Sequence, residues 1–221
     1  MKLRADFTKR ACVLPDDYEW VASPVAGVDR MMLDRIGDEV ARATSLVKYA
    51  ANSRFPEHVH GGGEEIFVID GEFADEHGSY PAGTYVRNPI GTKHAPSVGP
   101  QGCTIFVKLH QFDAGDTRRF AVDTNSREWK ASRAAGVEIM PLHRFGRENV
   151  ELVRFEPDAT YPRHVHEGGE EVLVLAGAIR DADGVYPQGT WLRFPDGSEH
   201  DVTSSGEGAL LYVKEGHLLM S

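Results

Sequence analysis

The chain has 221 residues and a formal charge of −10, with a pI near 5.4, so it lacks the positive footprint that nucleic acid or an anionic membrane demands of a partner. Its two cysteines, Cys12 and Cys103, lie far apart and outside any C-x2-C spacing, which argues against a disulfide framework or a thiolate zinc site. No apolar run approaches the ~18 residues of a membrane span, and no apolar h-region follows the basic N-terminus; a cytoplasmic protein is expected.

Residues 1–17 are mixed and charged, and read as an N-terminal arm whose order depends on docking. A first domain over 18–112 opens with Glu19-Trp20, Gly27-Val28, Met31 and Leu33-Asp-Arg35. These recur 109 residues on as Glu128-Trp129, Gly136-Val137, Met140 and Leu142-His-Arg144. Further along the interval is 106 residues; the three-residue difference falls between Arg35 and Leu46, where Ile36-Gly-Asp-Glu-Val-Ala-Arg42 predicts a longer hairpin in the first copy. Leu46-Val-Lys-Tyr49 and Leu152-Val-Arg-Phe155 read as strands, with turns at Ala50-Ala-Asn-Ser53 and Glu156-Pro-Asp-Ala159.

Next come His58-Val-His60-Gly-Gly-Gly-Glu64-Glu65 and its copy His164-Val-His166-Glu-Gly-Gly-Glu170-Glu171. Side chains alternate along a strand, so histidines one residue apart share a face and can converge on one cation. The glycines turn the chain, and a carboxylate on the returning strand can reach the same point. Counted from His60 alone, Glu64 and Glu65 serve equally well. Downstream, Gly83-x5-Pro89-x-Gly91-x2-His94 recurs as Gly189-x5-Pro195-x-Gly197-x2-His200. Phe55–His94 and Tyr161–His200 are identical at 20 of 40 positions, which makes the chain an internal duplication. Solvated histidines and loop acids without a metal would not explain two intact sets in register.

Ile66-Phe-Val-Ile69 and Val172-Leu-Val-Leu175 are continuously apolar, hence covered on both faces, and each is expected to end at a glycine, Gly71 or Gly177. Ile66, Val68, Val172 and Val174 would share the ligands' face and line an apolar cup, either packed core or a small-ligand pocket. Phe67, Ile69, Leu173 and Leu175 would face outward under sheet-on-sheet packing of two halves or two chains, or under terminal segments. Arg87 and Arg193 could clamp an anion or form surface salt bridges. His77 is expected to be exposed, and Cys103 to be a buried inert thiol. Residues 113–127 are polar, show no evident repeat counterpart and read as a linker to a second domain over 128–221. Short strands without a long amphipathic helix predict two antiparallel β-barrels. The copies differ near the ligands: Gly61 becomes Glu167, Asn88 becomes Phe194, Lys93 becomes Glu199 and Ala95-Pro96 becomes Asp201-Val202. Unequal sites are therefore expected.

The spacings H-x-H-x3-E-x6-G and G-x5-P-x-G-x2-H resemble the two cupin motifs, in both halves. The stretches EHVHGGGEEIFVIDGEF, YPAGTYVRNPIGTKHAP and GCTIFVKL look like the ChrR-like cupins, the metal-binding C-terminal domain of anti-sigma factors. The resemblance implies an all-β bicupin of two tandem jelly-roll barrels (double-stranded β-helices). It implies metal ligands His58, His60, Glu64 and His94 in the first half and His164, His166, Glu170 and His200 in the second; Glu64 is preferred to Glu65 because Glu64-x6-Gly71 keeps the family spacing. One divalent ion per domain is expected, zinc foremost, with iron, manganese or nickel as alternatives: three imidazoles and a carboxylate close a tetrahedral zinc site or leave two octahedral positions open. The implied function is regulation or small-ligand sensing in a transcriptional stress response. The alternative is a metal-dependent dioxygenase of the diketone-cleaving type, acting on a small, mostly apolar substrate. No Ser-His-Asp set, phosphate loop or dinucleotide fingerprint is evident, so any catalysis would run through the metal. A small-molecule ligand and a homodimer are the expected partners. Direct sigma-factor binding is not expected, because nothing before Trp20 matches the helical domain with its His-x3-Cys-x2-Cys zinc site.

Overall fold

The computed structural model describes residues 1–38 and 40–219, and they form two compact units. The first comprises Met1–Ala5 and Glu19–Ser126, the second Asp6–Tyr18 and Arg127–Ser221. In the first unit the strands run Lys2–Leu3, Val28–Gly37, Ala41–Tyr49, Ser97–Leu109, Glu64–Asp75, Thr84–Asn88 and Phe120–Asp123, in that order across an antiparallel sheet. In the second the order is Lys130–Ala131, Val137–Phe145, Glu148–Phe155, Glu199–Glu215, Glu170–Asp181, Trp191–Phe194 and Ala11–Val13. From Val28–Gly37 and Val137–Phe145 onward the two sheets follow one topology, as the duplication requires; the copy of Lys130–Ala131 is Trp20–Ala22, which also pairs with Val28–Gly37, and Lys2–Leu3 is an addition to the first. No helix among the described residues is long and apolar enough to cross a membrane.

Two segments take places that the sequence reading did not give them. Phe120–Asp123, inside the expected linker, pairs with Thr84–Asn88; Ala11–Val13, inside the expected arm, pairs with Trp191–Phe194. Short 3₁₀ turns follow them at Thr124–Ser126 and Pro15–Asp17. The segments are two copies of one element, 109 residues apart, and each adds the outermost strand of a unit. Without it Thr84–Asn88 or Trp191–Phe194, buried at every position, would be an open sheet edge with unpaired backbone groups. The shared pattern is only Thr8-Lys-Arg10-x2-Val13 against Thr117-Arg-Arg119-x2-Val122, too thin to stand out beside the metal motifs.

The longer first hairpin is present: Gly37 pairs with Ala41 where the second copy closes at Phe145 and Glu148. Glu39, at its tip, lies outside the described residues. The strands expected to end near Gly71 and Gly177 instead continue to Asp75 and Asp181. A register shift precedes each glycine, and positive φ values of 74° and 68° carry the strand through the irregularity. A Cβ at either position would lie 2.1 Å from a carbonyl oxygen on the neighbouring strand, Gly102 O or Gly208 O.

Each unit has its own apolar core. Val28, Val47, Ile66, Val68, Phe73, Val86, Ile105 and Val107 belong to the first, and Val137, Val153, Phe155, Val172, Val174, Leu192, Leu211 and Val213 to the second. The outward-facing Phe67 and Leu173 are buried as well. Cys103 is buried, and burial pushes its thiol up to about 12, so it is unreactive at neutral pH. His77 is exposed.

Candidate metal centres

In the first unit, strands His58–Val59 and Lys93–His94 pair antiparallel with His94 opposite His58. His60 follows on the face of His58, and Glu64 opens the next strand after the glycine turn. One ligand atom from each of His58, His60, Glu64 and His94 falls within 4.8 Å of all the others. His60 Nε2 and His94 Nε2 lie 3.3 and 3.4 Å from Glu64 Oε2. Bonds of ~2.1 Å opened by roughly 105° separate donor atoms by about this much. His164, His166, Glu170 and His200 form the corresponding set, likewise within 4.8 Å, with His164 opposite His200 in the ladder. All eight residues marked by the sequence thus come together in two groups of four.

The hydrogen bonds around the first group fix which nitrogen faces inward. His58 Nδ1 is 3.3 Å from Pro56 O, His60 Nδ1 is 2.9 Å from Thr92 Oγ1, and His94 Nδ1 is 3.0 Å from Asp75 Oδ2. A carbonyl and a carboxylate only accept. The Thr92 hydroxyl spends its proton on Pro89 O, 2.6 Å away, so it too must accept. Every Nδ1 therefore carries the hydrogen, and every Nε2 offers a lone pair to the centre. His60 Nε2 and His94 Nε2 are buried without a hydrogen-bond partner, a costly state unless a cation takes them. Burial, with His94 and His58 close by, pushes His60 down to about 3, and burial lowers His94 as well; both stay neutral and able to ligate. The residues present fit a divalent cation.

Glu64 and Glu65 point to opposite faces of their strand. Glu64 accepts from Asn88 Nδ2 at 3.1 Å, and burial pushes its carboxyl up to about 7. Glu65 lies 2.5 Å from Arg87, which also pairs with Asp116 at 2.5 Å and stacks over Phe112. In the second unit Glu171 accepts from Trp191 Nε1 and contacts His217, while Arg193 stacks over Phe7 and donates to Asp6 O. Both arginines are fully buried: they are neither clamps in the cup nor surface salt bridges, because their strand position puts them on the face away from the ligands.

Several functional residues escaped the sequence reading. Asp75, two residues before His77, has a fully buried side chain and receives His94 Nδ1, Tyr80 Oη at 3.0 Å and Arg119 Nη2 at 3.3 Å. Arg119 also donates to Asn88 Oδ1 at 3.1 Å, so one arginine steadies the partners of both Glu64 and His94. Asp181 repeats the arrangement with Tyr186 Oη at 2.7 Å and Arg10 Nη2 at 2.9 Å, although His200 Nδ1 is 3.6 Å away. The constant intervals, 106 residues from Asp75 to Asp181 and from Tyr80 to Tyr186, and 109 from Arg10 to Arg119, were the available signal.

The two sites differ. Phe194 replaces Asn88 and stacks on His166, with ring centroids 5.3 Å apart, and meets the His200 ring edge-on at 4.4 Å. Glu170, although burial pushes its carboxyl up, is held below the usual range by His166, His200 and His164. His166 in turn is raised by Glu170 in spite of its burial. The Lys93-to-Glu199 swap is compensated: Lys93 pairs with Glu57 at 3.0 Å, and Glu199 with Arg163, which replaces Glu57. The larger difference is inside. Beside His164, Glu170 and His200 the second unit has a half-open cavity of about 60 Å³, which Val172 lines together with Glu151 and Glu215. Burial pushes Glu215 up to about 7 and raises Glu151. In the first unit the equivalent positions are Ser45 and Leu109, and Phe73, where the second has Ile179, stacks toward Tyr49 and His94 at 5.9 and 5.8 Å.

Two duplicated antiparallel barrels, each with three histidines and a glutamate converging at one end, define a two-domain cupin with a candidate metal site in each domain. The ChrR Cupin-like domain matches residues 8–113 and again 117–219, and the chain belongs to that family. Both matches begin in the exchanged segments, at Thr8 and Thr117, in keeping with the repeat boundary seen in the fold. No curated protein matches the chain. Among solved structures, a candidate dioxygenase from Nostoc punctiforme is 17% identical with a TM-score of 0.74, covering 100% of this chain and 84% of its own. A candidate glyoxylate-induced protein from Pseudomonas aeruginosa is 14% identical with a TM-score of 0.76, over 93% and 88%. Oxalate decarboxylase of Bacillus subtilis, described with Mn(II) centres, is 14% identical with a TM-score of 0.67, over 95% and 78%. At such identities the likeness concerns the fold, here that of bicupins.

Proposed function

We propose that the protein binds one divalent metal ion in each cupin domain and uses the second domain for metal-dependent chemistry on a small molecule, of the dioxygenase class. The observation that carries this reading is the cavity beside His164, Glu170 and His200: a purely structural site has no use for space next to its ligands, whereas a reacting site needs it. A bound divalent ion would supply Lewis acidity and, if redox-active, electrons for dioxygen chemistry. Iron or manganese suits this role better than zinc, and the Mn(II) centres of the Bacillus oxalate decarboxylase support an open-shell ion in such a fold. The chain's own residues would orient the ligand histidines, exclude water with Val172, Leu211 and Val213, and offer the carboxyls of Glu151 and Glu215 to the ligand. A cytoplasmic location remains part of this reading.

The test is oxygen consumption by iron-loaded protein with a panel of β-diketones. Uptake abolished by His164→Ala and retained in His58→Ala is the expected result; no uptake by fully loaded protein would overturn it. A ligand-sensing role in transcriptional regulation is the second reading. It is supported by the ChrR description of the family, and would be favoured by ligand binding without turnover.

A further inference from the structure

We propose that the second unit's cavity selects a small neutral molecule bearing a carbonyl or hydroxyl oxygen, and rejects carboxylate anions, because Glu151 and Glu215 form its acidic wall. The inference rests on the reading of that cavity as the ligand site and supplies the chemical class of its occupant.

The cavity is narrow and one-sided in its chemistry. A water needs about 10–15 Å³ by this measure, so 60 Å³ holds a molecule of a few non-hydrogen atoms. Its apolar lining includes Ile139, Val153, Phe155 and Leu211, and among the described residues no lysine or arginine lines it. Arg133, which lies near His164, stacks over the Tyr161 ring at 5.1 Å and is not part of the lining. The Asn149 side chain lowers the carboxyls of both Glu151 and Glu215 against the upward push of burial, and Glu215 stands opposite Glu170 in the strand ladder.

The selection holds in either protonation state. Ionised, the two carboxylates repel an anion at short range in a poorly solvated space. Protonated, they donate hydrogen bonds to a carbonyl or hydroxyl oxygen but provide no countercharge for the buried anion. With no lysine or arginine among the described lining residues, the countercharge a carboxylate would meet is the cation, already partly neutralised by Glu170. The first unit carries no such wall, since Ser45 and Leu109 occupy the two positions. The acids therefore belong to what the second site does, not to holding a cupin together. They are also an unfavourable choice for mere packing, because a half-buried carboxyl without an ion-pair partner costs stability unless it has a ligand to meet.

Hydroxyacetone and glycolate make a matched pair: equal in size, both able to chelate, one neutral and one anionic. The full-length chain, with His60→Ala to confine the reporter to the second site, is loaded with cobalt(II), and its visible spectrum is followed during titration with each. Hydroxyacetone is expected to bind on the order of tenfold more tightly than glycolate, or better. Glu151→Ser with Glu215→Leu, the residues of the first unit, should remove most of that preference by strengthening glycolate binding. Glu151→Gln with Glu215→Gln, which keeps the volumes, should do the same if the double replacement perturbs folding. Equal or tighter glycolate binding, an unchanged preference in the variants, or binding of neither molecule would each overturn the proposal. The outcome is separable from that of the oxygenase reading: hydroxyacetone selectivity without oxygen uptake by the iron form would leave this inference standing and remove that one, and oxygen uptake with a glycolate preference would do the reverse.

Discussion

Asp75 is the residue whose replacement tests the geometry of the first site most directly. Its buried carboxylate accepts from His94 Nδ1 at 3.0 Å and from Tyr80 and Arg119, so it holds the imidazole in the tautomer that turns a lone pair on Nε2 toward Glu64. In Asp75→Asn the volume is kept and one oxygen still serves Tyr80 and the His77 backbone N–H, which Asp75 Oδ1 accepts at 2.8 Å. The amide nitrogen then faces His94 and donates, moving the imidazole hydrogen to Nε2, where the cation should bind. Losing such an orienting partner costs 10–100-fold in metal affinity, about 1.4–2.8 kcal/mol. Asp181→Asn should cost less, because the His200–Asp181 distance is 3.6 Å and the orientation there is looser. Competition against a chelator with zinc measures both, each in a background whose other site is removed by His166→Ala or His60→Ala, with thermal melts of the apo-proteins as the control for folding. Affinity of the Asp75→Asn site within twofold of its parent, in a folded protein, would refute the tautomer reasoning.

Metal analysis after reconstitution is expected to give two ions per chain, falling to one in His60→Ala and one in His166→Ala; a folded parent that takes up none would remove the metal reading altogether. Acidification should release both ions at different midpoints. In the first unit the proton that competes with metal sits on Glu64, pushed up to about 7 by burial, so affinity falls by about a factor of ten per pH unit below that. In the second, Glu170 is held low and His166 raised, so the competing proton is on the imidazole; superimposable release curves from the two single-site variants would contradict this. Arg10→Ala should weaken metal binding in the second unit and leave the first unchanged, since Arg10 reaches Asp181 and Tyr186 there, and equal loss at both sites in chelator competition would count against the exchange of outer strands. Gly71→Ala places a Cβ 2.1 Å from Gly102 O at φ +74°; with ~1–2 kcal/mol for the left-handed backbone alone, a denaturant melt should show a loss above roughly 2 kcal/mol, and a near-neutral effect would mean that the corner can relax.

The sequence by itself determined the duplication and the all-β class, and, with the family spacing, marked the eight candidate ligands, because these rest largely on local rules. Alternation brings His58 and His60 to one face, and a glycine turn returns Glu64 to it; Gly83, Pro89 and Gly91 set the approach of His94. Such geometry is encoded within a few residues and repeated without insertion, so it could be read directly. The tertiary structure alone decided what meets those residues from far along the chain. Glu65 had no role in the sequence once the family spacing chose Glu64; the strand sets it on the opposite face, against Arg87. Asp75 carries no motif in the sequence and acquires its role only because His94 and Arg119 come to lie against it. The arm and the linker read as a docking-dependent arm and a polar connection because an edge-covering strand is recognised by the strand it covers, and only a threonine, a basic pair and a valine are common to both copies. The second unit's cavity, finally, is lined by Ile179, Glu151 and Glu215, where the first copy has Phe73, Ser45 and Leu109. Each substitution is unremarkable in the sequence, and together they matter because the barrel brings residues from three strands to the same side of the metal ligands.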